Sequence, residues 1–142
     1  MCEGDGGHAR REQVSIFERL RVRLHNVAQA AFGAIAPLLV PGTHVRDIVT
    51  ASAVIKDARF ATFDDLVHGY GGGYWPPVLG SSSRPNEDVP DFILEENMML
   101  VVQPNVVTGD HRAGVQTGEC LVVTPQGPRR LHHAPRGVLR VG

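Results

Sequence analysis

Apolar positions change period twice along this chain. From residue 16 to residue 38 they recur at helical spacing, with Ile16, Leu20, Leu24, Val27, Ala28, Ala31, Ile35 and Leu38 forming one stripe. Arg19, Arg21, Arg23 and Gln29 take much of the opposite side. The pattern predicts a long helix from about Phe17 that ends before Pro41-Gly42. Thr43 then stands where a helix N-cap belongs, and Val45, Ile48, Val49, Ser52 and Ile55 predict a second amphipathic helix. Ahead of the first helix, Ala9, Arg11, Gln13 and Ser15 alternate with Arg10, Glu12, Val14 and Ile16, which predicts a strand over residues 8–16.

Beyond Arg59 the texture turns to short apolar runs between turn residues. Residues 64–68 predict a strand that leads into a glycine run. Pro76-Pro77 and residues 80–90 read as a long polar connection, and Phe92-Ile93-Leu94 as a short strand or turn. Residues 98–103 form a continuous apolar run, the mark of a strand buried on both faces. Val106-Val107 continues past Pro104, and residues 108–112 read as a hairpin loop. Residues 113–124 carry the next strand, strongest at 119–123, and residues 129–131 a final edge strand after the Pro125-Gln126-Gly127-Pro128 turn. Two helices followed by antiparallel strands place the chain in the α+β class.

Composition narrows the picture only a little. The chain has 142 residues, enough for one domain with a modest core. Hydrophobic residues make up 42% and charged residues 20%, as in ordinary globular proteins. A formal net charge of -1 gives no electrostatic footing for nucleic acid or an anionic membrane. No stretch has the ~18 apolar residues of a membrane span, and the polar N-terminus lacks the apolar core of a secretory signal. Cys2 and Cys120 form no CxxC pair, so two reduced thiols in a cytoplasmic protein is the expectation.

Several residues carry chemistry, each with a plainer alternative. His68 sits inside the run Val67-His68-Gly69-Tyr70-Gly71 and reads either as a core histidine bonded to backbone or as a pocket residue. Tyr74 and Trp75 are packing aromatics or the wall of a substrate pocket. Gln103, beside Pro104 at a strand end, satisfies buried backbone groups or binds a polar ligand group. Glu12 with His8 would make an acid–base pair at a pocket edge. His111 and Arg112 read as solvated, as do His132 and His133. Adjacent strand residues face opposite ways, so those two histidines do not share an ion easily.

Four pieces in order give the chain its resemblance. They are Val40-Pro41-Gly42-Thr43 between the helices; the His68 run; the strand from Asn97 through Gln103-Pro104-Asn105; and Gly114-Val115-Gln116-Thr117-Gly118-Glu119 running on to Thr124. Together they resemble the C-terminal half of the pita-bread family: methionine aminopeptidase, aminopeptidase P, prolidase and creatinase. The resemblance implies two helices packed on a curved antiparallel sheet. Residues 1–15 would be the remnant of an N-terminal hairpin, 16–57 the helices, and 58–142 the sheet with the site motifs, all in one domain.

Metal-binding members hold two divalent ions with two Asp, one His and two Glu. His68 matches the histidine in type. Gln103 takes the place of the first Glu, and a neutral amide bridges two cations poorly. Gly118 takes the place of the second, with Glu119 one residue on. Strand alternation turns Glu119 away unless a bulge at Thr117-Gly118 swings it back. Trp75 and Pro76 replace the family's second His and its following Glu. The two Asp belong to a hairpin that would precede the first helix, where Arg11 falls near one of their positions and would repel a metal.

The resemblance therefore implies a diverged aminopeptidase P- or creatinase-like hydrolase without the usual dinuclear centre, acting on a small amide- or peptide-like substrate. Whether it is an enzyme stays open. Creatinase sets the precedent of this fold working without metal. In this reading His68, Glu119 and Glu12 are the catalytic candidates, while Tyr74, Trp75, Gln103, Gln116 and His8 bind substrate. No cofactor is expected. Any Mn, Co, Zn or Fe would need ligands beyond His68 and Glu119. Two alternatives stand beside it: a non-catalytic binding scaffold, and a fragment whose other half comes from a second copy or a partner chain, since half of such a sheet leaves an exposed edge.

Overall fold

The computed structural model describes residues 6–84 and 88–137, with residues 6–14 described by their backbone alone. Helix α1 spans Gly6–Ile35 and is followed by a single 3-10 turn, Ala36–Leu38. The strand expected over residues 8–16 is thus helix. Its alternation set polar against mostly polar residues and defined no apolar face, whereas Ala9, Arg10, Arg11, Glu12 and Gln13 are good helix formers. Leu24, Ala28, Ala31 and Ile35 of the expected stripe are fully buried, but Ile16 is 58% exposed. Among the described residues nothing covers that end of α1.

Helix α2, Val45–Ala51, is capped by His44 rather than Thr43. His44 has extended backbone, and its Nδ1 accepts the Arg46 amide at 3.0 Å. Thr43 is engaged otherwise, its carbonyl accepting from the Leu94 amide while the Gly42 amide donates back to the Leu94 carbonyl. A break at Ser52 separates α2 from helix α3, Ala53–Asp57.

Among the described residues eight strands follow: β1 Ala61–Thr62, β2 Val67–Tyr70, β3 Tyr74–Leu79, β4 Met99–Val102, β5 Asn105–Val107, β6 Gly114–Gln116, β7 Glu119–Val122 and β8 Arg129–Arg130. They make two antiparallel sheets, one ordered β1-β5-β6 and one ordered β3-β2-β4-β7-β8. β3 runs through Pro76-Pro77, which had read as loop, and the bond between them is cis. Two residues without backbone N–H are tolerated there because β3 is an edge strand. The single strand expected over residues 113–124 is divided between the sheets as β6 and β7.

α1 packs over α3, β5 and β6. The core gathers Leu24, Phe32 and Ile35 with Ile48, Leu66, Leu100 and Leu121. No helix among the described residues is long and apolar enough to cross a membrane. Cys120 is a free thiol.

The chain changes sheet at two places. It leaves β4 for β5 through Gln103-Pro104, and it returns from β6 to β7 through Thr117-Gly118. These crossings touch: a Cβ on Gly118 would lie 2.6 Å from the Val102 carbonyl oxygen and 2.9 Å from Gln103 Cα. The corner they form holds the candidate site.

Candidate functional site

β4 was expected to be buried on both faces, but its burial alternates. Leu100 and Val102 are closed into the core, while Met99 and Val101 are half-buried on the other face. That second face is the floor of a groove of ≈ 610 Å³, walled by Tyr70, Gln103, Gln116, Cys120, Leu131 and His132. Strand register explains the grouping. Val101 pairs with His68 on one side and Cys120 on the other, so these three share a face. Burial raises the Cys120 thiol above its ordinary value.

His68 is 6% exposed and its ring stacks on Tyr74, with centroids 3.8 Å apart and planes at 19°. Its Nδ1 lies 2.9 Å from the Gly69 carbonyl oxygen. A carbonyl only accepts, so Nδ1 donates this bond. Gly69 is required beside it: a Cβ there would lie 2.4 Å from the Pro76 carbonyl oxygen. The β2–β3 register also shifts between His68 and Gly69.

Next to the histidine runs a polar chain. The Tyr74 hydroxyl donates to Asp65 Oδ2, Gln103 Nε2 donates to the same oxygen at 3.2 Å, and Gln116 Nε2 donates to Gln103 Oε1 at 3.2 Å. Burial first, and then the Asp65 carboxylate, push the Tyr74 phenol well above its ordinary value, so it stays a donor. Asn105 fixes the loop that carries Asp65. Its Oδ1 accepts the amides of Phe63 and Asp64, and its Nδ2 donates to the Asp65 and Gln103 carbonyls. Asp64 is held below the usual carboxylate range, chiefly by the Asp65 amide.

The fold thus brings together four of the expected residues: His68, Tyr74, Gln103 and Gln116. It does not bring the others to them. Trp75 is 58% exposed and leans toward Gly71, whose Cβ would lie 3.4 Å from the indole. Glu119 pairs with Val102, on the helix-facing side of the sheet. It is also among the residues that line the groove. Its carboxylate is held by Arg130, through Nε at 2.9 Å and through Nη2, and by Arg136 at 3.5 Å. Arg136 in turn lies 4.4 Å from the Phe32 ring centroid on α1. The side chains of His8 and Glu12 lie outside the described residues. Among the described residues, no three His, Cys, Asp or Glu side chains gather as a metal ion would require.

Sequence reasoning missed Asp65, Asn105 and Tyr70 as parts of this site. Asp65 fell inside the strand expected over residues 64–68 and gave no sign of a pocket role. Only its meeting with Gln103, far along the chain, shows its place.

No family model matches the chain, and no curated protein matches it by sequence. Solved structures do. A dipeptidase from Pyrococcus horikoshii OT3 superposes with a TM-score of 0.67 at 25% identity, over 84% of this chain and 32% of that one. The prolidase from Pyrococcus furiosus gives 0.65 at 18%, over 80% and 32%. Methionine aminopeptidase from Rickettsia prowazekii gives 0.63 at 20%, over 76% and 50%. The architecture is therefore part of the pita-bread fold, and the chain spans about 32% of the length of the prolidase and the dipeptidase.

Proposed function

We propose that the chain is a peptidase-like hydrolase domain whose groove takes a small peptide- or amide-like substrate, with His68 as the proton-transfer group in place of two bridged metal ions. The observation that carries this reading is the line of contacts that runs from His68, stacked on Tyr74, through Asp65 to Gln103 and Gln116, the two of these residues that line the groove, in a peptidase-type fold. Nδ1 is engaged with the Gly69 carbonyl, so Nε2 is the ring atom left to pass a proton to or from substrate. Gln103 and Gln116 orient the substrate amide, and the apolar floor at Met99 and Val101 holds its hydrocarbon part.

The described donors do not fit a dinuclear centre. Gln103 is a neutral amide already bonded on both sides, and Gly118 has neither a side chain nor room for a Cβ. Glu119 spends its charge on two arginines. Cytoplasmic residence is the companion reading, supported by the free Cys120 thiol.

Metal analysis joined to turnover tests the proposal. The expected result is no stoichiometric Mn, Co, Zn or Fe, with hydrolysis of some member of a dipeptide and amide panel that falls about 100-fold or more in His68→Ala. Tight binding of two ions would overturn it. A binding scaffold is the second reading, favoured by the turning of Glu119 away from His68. Ligand binding without any turnover would establish it. A partner half is the third. Ile16, Phe17 and Val22 on α1, all more than 40% exposed, support an oligomer or partner chain.

A further inference from the structure

Resting on the reading of His68 as the proton-transfer group, we propose that Tyr74 is the gate of that histidine, held shut by the Asp65 carboxylate and released on the glycine turn of the β2–β3 hairpin.

As they stand, the groove and the histidine do not meet. His68 is 6% exposed, and neither it nor Tyr74 is among the residues that line the groove. The register nevertheless puts His68 beside the groove floor, since it pairs with Val101 across β2 and β4. The Tyr74 ring stands over the imidazole, with centroids 3.8 Å apart and planes at 19°. Tyr74 itself is 56% exposed, so it covers the histidine as an outer layer and not as part of the core.

A side chain so exposed keeps one place only if something holds it. The Tyr74 hydroxyl donates to Asp65 Oδ2, and a hydrogen bond to an ionised acceptor is stronger than a neutral one. Asp65 is fixed in turn, because Asn105 Nδ2 donates to its carbonyl and Gln103 Nε2 donates to the same carboxylate oxygen. Burial and that carboxylate push the phenol above its ordinary value, so the latch keeps its proton near neutral pH. Movement also has a place to occur. The base of the hairpin is close-packed, since a Cβ on Gly69 would lie 2.4 Å from the Pro76 carbonyl oxygen. Beyond that base, three exposed glycines separate Tyr70 from Tyr74. Gly72 has a φ of +84°, and a long 3.4 Å bond runs from the Gly71 amide to the Gly73 carbonyl. Swinging Tyr74 out on that turn breaks one hydrogen bond and one stack, and it opens the imidazole toward Val101 and the groove. Tyr74 touches no substrate in this account. It is a positioning residue that acts through His68.

The test reads the reactivity of His68 toward diethyl pyrocarbonate in the full chain, by site-resolved mass spectrometry, with the exposed His133 as internal standard. In the unaltered protein His68 should react about tenfold or more slowly than His133. Tyr74→Phe keeps the ring and loses the latch, so His68 should react about fivefold or more faster while His133 is unchanged. Tyr74→Ala removes the cover and should bring His68 to within about threefold of His133. Binding of 4-methylpentanamide, followed through the side-chain amide resonances of Gln103 and Gln116, should stay within about twofold in Tyr74→Phe, while turnover of a cleaved panel amide rises with the open fraction. His68 reacting as fast as His133 in the unaltered protein overturns the gate and leaves the groove reading intact. Unchanged reactivity in Tyr74→Phe, or a fall in its turnover at unchanged affinity, overturns the latch. A gated His68 with no hydrolysis of any panel member by any variant upholds the gate and removes the hydrolase reading instead.

Discussion

The two faces of the five-stranded sheet are built to opposite standards. On the face toward α1, Val67, Leu100, Val102 and Leu121 are no more than 1% exposed. On the opposite face, the interleaved Met99, Val101 and Cys120 are only half-buried, although their neighbours His68 and Val122 are closed, and Gln103 continues their line. Both faces come from the same strands, so local propensity does not separate them. The difference lies in what covers each: the core shared with the helices and the second sheet on one side and, among the described residues, an open groove on the other. Substitutions at neighbouring positions of β4 should therefore differ sharply. Leu100→Ala should lower stability by about 2–5 kcal/mol, since it empties a closed site. Val101→Ala should cost about 1 kcal/mol, because that side chain keeps part of its water contact in the folded protein. Denaturant unfolding of the two variants checks the contrast. Equal costs would mean that the groove face is covered in solution.

The gap between the faces also explains how far the fold could be read from the chain. The helical first third, several of the later strands and the α+β class follow from apolar periodicity, which reports burial against a core. Ile16 continued the stripe in period but not in burial, because the period extends past the part of α1 that has a partner. Residues 113–124 read as one strand because nothing apolar marks the change of sheet. Only Gly118 does, and it needs the touching Val102 and Gln103 backbone to be understood. In the site, His68, Tyr74, Gln103 and Gln116 were visible through their motifs. Asp65 and Asn105 were not, because their work consists of bonds between segments that lie about 40 residues apart.

Gly118 sharpens the comparison at the corner where the faces meet. By the sequence resemblance it would stand in place of a carboxylate, yet a Cβ there would lie 2.6 Å from the Val102 carbonyl oxygen. Gly118→Ala should cost about 1–3 kcal/mol by forcing the β6–β7 crossing off β4. It should also disturb the Gln103 and Gln116 amide resonances, since both lie at that crossing. By the same geometry Gly118→Glu should not create metal affinity, a point that calorimetric titration with Mn or Zn would decide. A neutral cost for the alanine variant would show that the corner yields, and the replaced carboxylate would then be restorable.

Glu119 gives the smallest effect and the finest distinction. It is the one carboxylate on the helix-facing side of β7, with its side chain 6% exposed and two arginines on it. Were it part of the groove chemistry, Glu119→Gln would abolish turnover with little change in stability. The pairing predicts the reverse. Arg130 and Arg136 are themselves 38% and 41% exposed, so they can rehydrate when the charge is removed. The loss should therefore be about 1–2 kcal/mol rather than the larger penalty of a stranded buried ion. Arg136 would also lose part of what holds it over the Phe32 ring, loosening residues 131–137 from α1. Those residues include Leu131 and His132 of the groove wall, so ligand affinity should fall modestly while the Gln103 and Gln116 resonances keep their ligand response. A variant that unfolds no more easily, yet no longer answers ligand at those amides, would move Glu119 from the scaffold into the site.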